Sequence, residues 1–241
     1  MINKNKLQSV ISKYHLGGLV ESVKWKVENN ILSIDFMSPN RDMIGRVEFN
    51  KFDVKNCELA IFDTSQFNKL LAITTNEVII EPVKNKLLIS DIHYNLQYSL
   101  ADPLLIGKVG SVSNQEYNIE FSLDQEQLGS IIKAIDALSN SNTLCLNKTE
   151  TIAGDESLEF VFGENQEHAN KIVYPLEDIT VLKPTSEFNI PFSSEVFKNV
   201  FKANRDCESI STKMNTEGLL KIDFESEDVK SHYYIVRRQD Y

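Results

Sequence analysis

The chain has 241 residues, 41% of them hydrophobic and 25% charged, with a formal net charge of −10. That length suits one large domain or two ordinary ones, and the composition is that of a globular protein with a real core. No run approaches the roughly eighteen apolar residues of a membrane span, and no basic start precedes an apolar stretch with a cleavage site, so neither a span nor a secretory leader is expected. Cys57, Cys145 and Cys207 are odd in number and far apart, which speaks against a disulfide framework or zinc site and for a reducing compartment. The acidity argues against a general nucleic-acid binder, whose footprint is basic, unless the charge is unevenly distributed.

From the amino terminus, Asn3 is a candidate helix cap, and Leu7, Val10 and Ile11 follow at offsets four, seven and eight. That spacing predicts a helix with one buried stripe. "LVESVKWKV", "ILSIDFM" and "IGRVEF" come next, short and alternating as strands are. "LAIFDTSQFNKLLA" then passes from strand to helix at Asp63, with Phe67, Leu70 and Leu71 at the same offsets, before "EVIIE", "KLLISDI" and "YNLQYSL". "DPLLIGKVGSVSNQEY", Asp102 to Tyr117, has the Pro, Gly and Ser of a linker.

The pattern resumes beyond it. "IEFSLDQEQLGSIIKA" caps at Asp124 with Leu128, Ile131 and Ile132 in register, ahead of "TLCLNK", "SLEFVF" and "KIVYPL". "NIPFSSEVFKNVFKA" caps at Ser193 with Phe197, Val200 and Phe201, ahead of "SISTKM", "LLKIDF" and "HYYIVRR". Gln66 and Gln127 stand where a capping box places them. Turn residues separate the strands: Asn29-Asn30, Asn85, Gly163 with Asn165, and Gly218. These are four copies of a strand–helix–three-strand unit, the first without a clear leading strand. Two copies on each side of the linker predict two α+β domains, residues 1–102 and 117–241, joined by a connector, 103–116. Each would be an antiparallel sheet structure with helices on one face.

Basic residues gather on the helices. Lys4, Lys6 and Lys13 belong to the first, Lys69 to the second, Lys133 to the third, and Lys198, Lys202 and Arg205 to the fourth at i, i+4 and i+7. Acids gather in turns, at Asp155-Glu156 and at Glu225 to Asp228. Each lysine alone reads as an ordinary solubilising residue. Taken over four helices and combined with the architecture, they read as a phosphate-facing set that needs no base sequence.

Catalytic and metal signatures are missing from the sequence. His15, His93, His168 and His232 are dispersed, "GKVGS" at Gly107 lacks the phosphate-loop pattern, and Glu225, Glu227 and Asp228 lack calcium-loop spacing. These acids read as solvating a hairpin tip, and Trp25 as core or sheet surface. No nucleophile–base pair emerges, so no enzyme, cofactor or metal is expected.

Two domains of two such units, a long connector and the ending "KIDFESEDVKSHYYIVRRQD" resemble a DNA sliding clamp, in particular the T-even phage clamps and proliferating cell nuclear antigen. "LAIFDTSQFNKLLAI", followed later by "LADP", is similar to the middle of the phage clamps' first domain. "HYYIVRR" is similar to the final strand of the eukaryotic and archaeal clamps. The resemblance implies the DNA clamp fold and a homotrimeric ring joined head to tail, sheets outside and helices lining the hole. Such a ring encircles duplex DNA without sequence preference, is opened by a separate clamp loader, and tethers a replicative DNA polymerase and other partners. The ring would form at two edges, His93 to Leu100 and Lys171 to Leu176. Abundant Asn and Lys suit a virus with an AT-rich genome, and the chain is expected in the cytoplasm, the host's if it is phage-encoded, with no membrane role.

The resemblance also implies a partner pocket built from Met37, from Leu104, Leu105 and Ile106 of the connector, and from Leu219, Tyr234 and Val236. The same residues read equally well as core, in Met37 and Leu219, and as a pin for the linker, in Leu104 to Ile106. Val236-Arg237 stands where eukaryotic clamps have Ala-Pro, which puts their peptide motif in doubt for this chain. The residues leave a second reading open, a β-rich virion protein with duplicated domains. Gly-rich hairpins with exposed apolar strands would mark that one, and basic stripes confined to helices mark the clamp.

Overall fold

All four predicted helices begin at their capping residues. The computed structural model describes residues 1–112, 115–150, 156–163, 169–183 and 186–239. Asp155, Asn165, His168, and Ser113 and Asn114 of the connector lie outside them. The helices are α1 (Lys4–His15), α2 (Thr64–Ala72), α3 (Gln125–Ala137) and α4 (Ser194–Ala203). Asn3 accepts the Lys6 N–H at 3.1 Å, Asp63 that of Gln66 at 2.7 Å, and Ser193 that of Val196 at 3.4 Å. Asp124 and Gln127 form a full capping box. At Asp63 the box is replaced, because the Asp63 N–H donates to the Tyr98 hydroxyl at 3.1 Å rather than to Gln66.

The stripes are buried as the spacing predicts. Leu7, Val10, Ile11, Phe67, Leu71, Leu128, Ile131, Ile132, Phe197, Val200 and Phe201 all lie in the core, and Leu70 is half-buried.

The chain divides into two compact units, Met1–Ser111 with Ser226–Ser231, and Val112–Glu225 with His232–Tyr241. The first unit contains β1 (Ile2–Asn3), β2 (Val23–Glu28), β3 (Ile31–Met37), β4 (Met43–Phe49), β5 (Cys57–Ile61), β6 (Glu77–Val83), β7 (Lys86–Ser90) and β8 (Asn95–Ser99). These form the sheets β1-β6-β7-β8 and β4-β3-β2-β5. The remaining strands are β9 (Ile119–Leu123), β10 (Thr143–Glu150), β11 (Glu156–Phe162), β12 (Ile172–Pro175), β13 (Ile179–Val181), β14 (Phe188–Ser193), β15 (Ser209–Met214), β16 (Leu219–Glu225) and β17 (Val229–Val236). They form the orders β12-β11-β10-β14 and β13-β9-β15-β16-β17.

The strand before each helix pairs with strands of the other copy. β5 lies on β2 (Val23↔Ile61), β1 on β6 (Ile2↔Val78), β14 on β10 (Leu144↔Phe192) and β9 on β15 (Ile210↔Leu123), all antiparallel. One copy therefore cannot complete a sheet by itself, which is why the repeats come in pairs. The first copy does have its leading strand, reduced to the two residues of β1.

Alternation sets which side of each strand is buried. Val229, Ser231, Tyr233 and Ile235 of β17 point inward, while His232 and Tyr234 are half-buried and Lys230 and Val236 exposed. Asn29 and Asn30, at φ 53° and 62°, make the two-residue turn between β2 and β3. In the first core Trp25 is fully buried, edge-on to Phe67 at 5.3 Å and Phe52 at 6.1 Å. In the second, Phe160, Phe197, Phe201, Phe224 and Tyr233 form a continuous aromatic series with centroids 5.5–6.1 Å apart. Helices pack in pairs within their units, α1 with α2 and α3 with α4.

Candidate nucleic-acid interface

The helix pairs α1 with α2 and α3 with α4 each carry the expected cations of their own unit. In the first unit neither α1 nor α2 carries an acidic side chain. Lys6 and Lys69 are exposed, while Lys4 is half-buried and donates to the Thr74 carbonyl at 2.8 Å. Lys13 is a correction: it is 2% exposed and does not face solvent. The chain reverses directly after it, with Leu16 and Gly17 at φ 50° and 69°, and in that last turn Tyr14 and Leu16 are buried as well. The buried arc of α1 thus widens beyond the stripe that spacing predicts.

Asp228 is a second correction. It does not solvate a hairpin tip but is buried, ion-paired with Lys6 and with Lys51 at 2.7 Å. Its backbone carbonyl takes the Asn50 N–H at 2.8 Å, which draws the tip inward. The Lys51 and then the Lys6 ammonium hold its carboxyl below the usual carboxylate range.

In the second unit Lys133 and Lys202 are exposed and Lys198 is half-buried. Here three acids share the helices: Glu126 and Asp136 on α3, and Glu195 on α4. Asp136 lies 2.6 Å from the Lys198 Nζ and 3.3 Å from that of Lys202. Lys198 first, then Lys202, keeps the Asp136 carboxyl below its ordinary range. Arg205 is exposed but lies past the end of α4, not on it. The buried Asn204 ends the helix, its side-chain amide donating to the Val200 carbonyl at 2.8 Å and to the Tyr233 hydroxyl at 2.9 Å.

The two edges singled out by sequence are both terminal strands: β8 closes one side of β1-β6-β7-β8, and β12 one side of β12-β11-β10-β14. Ile92, 83% exposed, and Tyr94 precede β8, and Val173 on β12 is 45% exposed. Asp91 shapes the turn into β8, accepting the N–H groups of Thr75, His93 and Tyr94 at 2.5, 2.7 and 2.5 Å. Burial opposes its ionisation, but those three N–H groups outweigh it and hold its pKa at about 2. With the folded pKa depressed, the turn's contribution is complete above the ordinary aspartate value of about 3.9 and is lost as pH falls through about 2. Asp91→Asn should speed exchange of the Tyr94 amide at neutral pH and flatten its dependence between those limits. A variant that keeps the wild-type acid profile would remove Asp91 as the cause.

The predicted pocket residues differ sharply in exposure. Within the first unit Leu104 is 89% and Leu105 70% exposed in a single 3₁₀ turn capped by Asp102, whereas Ile106 is 8% exposed. Ile106 pins the connector, and the two leucines before it remain in solvent. Met37 is half-buried. In the second unit Leu219 and Tyr234 are half-buried and Val236 exposed. They share the outward side of β16 and β17 with Asp223, whose carboxylate takes hydrogen bonds from Lys221 at 2.6 Å and pairs with His232 at 2.5 Å.

No protein-family model matches the chain, and no curated protein matches its sequence. Solved structures do match it over nearly its full length. Proliferating cellular nuclear antigen from Entamoeba histolytica aligns over 98% of this chain and 96% of its own, with 11% identity and a TM-score of 0.75. The A. fulgidus protein, solved with the C-terminal region of FEN-1 bound, aligns over 100% and 98% at 15% identity, with a TM-score of 0.78. That of Thermococcus kodakaraensis aligns over 99% and 98% at 13% identity, with a TM-score of 0.75. The fold is that of a sliding clamp. Both halves of the clamp fold are thus present, two strand-exchanged repeat pairs in one chain. Within it, the sequence reading missed β13, which pairs with β9 through Thr180↔Glu120. It also missed the carboxylates of Asp136 and Asp228 as partners of the lysines. Both were visible as acids, but nothing in the sequence marks which lysine they meet. Among the described residues no group of three or more His, Cys, Asp or Glu side chains could hold a metal ion.

Proposed function

We propose that this chain is a DNA polymerase processivity factor, three copies of which close head to tail around duplex DNA. The observation that carries the reading is a clamp fold of full length whose helices expose lysines, with no acid on α1 and α2. Lys6, Lys69, Lys133, Lys198, Lys202 and Arg205 form the phosphate-facing set, with Lys4 at its margin. Such ammonium groups on flexible stems attract phosphates without fixing a register. The ring holds DNA by topology, and a polymerase that lets go stays near the primer at high effective concentration.

Head-to-tail joints require two different complementary edges, and β8 and β12 supply open strands for pairing. The connector, residues 103–116 between domains 1–102 and 117–241, offers Leu104 and Leu105 to partner peptides, with Met37 as a candidate in the same unit; Leu219, Tyr234 and Val236 are separate candidates in the second unit. The FEN-1 segment on the A. fulgidus protein supports a peptide-docking role. A separate loader opens the ring. The likeness of "LAIFDTSQFNKLLAI" to phage clamps supports a phage protein working in its host's cytoplasm. Light scattering over a dilution series should give three chains of 27.5 kDa. A strict monomer at tens of micromolar, roughly the range where an obligate interface is populated, would contradict the ring.

A further inference from the structure

In each unit a single carboxylate holds two lysines, Asp228 with Lys6 and Lys51, and Asp136 with Lys198 and Lys202. Asp228 is buried, and its role is accounted for by the hairpin tip it anchors. Asp136 is different. Its side chain is 45% exposed, and those of Lys198 and Lys202 are 32% and 39% exposed, so all three are open to solvent. An ion pair of that kind adds little to stability. Asp136 also sits in the last turn of α3, where a negative charge opposes the helix dipole. Neither helix formation nor folding explains an acid at this position.

We propose that Asp136 is a competing carboxylate that DNA phosphates must displace to reach Lys198 and Lys202. The inference rests on the reading of these helices as DNA-facing. A lysine already in a charge-assisted hydrogen bond exchanges one anion for another when phosphate arrives. The net gain per contact is then small, so the contacts stay weak and easily exchanged as DNA passes. In the first unit the acid that meets Lys6 is the buried Asp228, held by the hairpin tip, so the solvent-open acid that phosphate can displace is Asp136 of the second unit.

The test uses the full-length protein and a linear duplex fragment, with binding measured across a salt series. Asp136→Asn should bind several-fold tighter at low salt. Its plot of log affinity against log salt should steepen by about 0.9 for each phosphate newly engaged. Lys198→Gln with Lys202→Gln should weaken binding, and adding Asp136→Asn to that pair should change nothing further. Equal or weaker binding by Asp136→Asn, while the double lysine variant loses affinity, would overturn the competition. So would a gain that persists without both lysines, because the acid would then act only as a diffuse charge. If the lysine pair itself has no effect, the DNA-facing assignment fails instead. Circular dichroism melts of all variants should coincide with wild type, since none of these side chains lies in the core.

Discussion

Ile92→Asp combined with Val173→Asp should leave a folded chain that no longer assembles. Both positions carry exposed apolar side chains beside the terminal strands β8 and β12, so the monomer loses no core contact. Assembly would have to desolvate both introduced carboxylates without partners, and removing one well-placed anchor at an interface commonly costs 2 kcal/mol or more. At about 1.4 kcal/mol per factor of ten, each change should weaken a joint by about thirtyfold or more, and the two changes meet at every joint of a head-to-tail ring. Sedimentation should show monomers with an unchanged melting transition. A trimer that persists would place the joints elsewhere than at these edges.

Leu104→Asp with Leu105→Asp should abolish stimulation of the cognate polymerase while leaving the trimer intact. These side chains are 89% and 70% exposed, so charge there costs the fold little, while apolar anchors dominate peptide-docking interfaces. Ile106 is unsuitable for the same experiment. At 8% exposure it is a core residue of its unit, and a carboxylate there would have to be buried unpaired. Normal stimulation by the double leucine variant would return these residues to the role of a plain linker.

The helices were legible in the sequence because their signals are local: a cap and three apolar residues within about two turns. What stayed hidden depends on contacts distant in the chain. Pairing of β5 with β2, or β14 with β10, joins strands of different copies, and alternation within a strand does not say which neighbour it takes. β13 is three residues long, too short for any period to register. Lys13 satisfies the spacing of an exposed position but is buried, and the chain turns three residues later at Leu16. Arg205 satisfies helical spacing after Lys198 and Lys202, but the amide of Asn204 ends the helix first. The basic face was visible as lysines on four helices, and its partial neutralisation by Asp136 was not, because that acid approaches from a helix far away in sequence.

The most direct test of encirclement is retention on end-blocked DNA. The protein is incubated with a linear duplex attached to a bead at one end, the free end is capped with a bulky protein, and the bead is washed at high salt. At high ionic strength direct phosphate contacts are screened and released. A ring threaded on the duplex should remain when the end was capped after incubation and wash away when the end was left open. Loss from both, or equal retention on both, would contradict a closed ring around DNA.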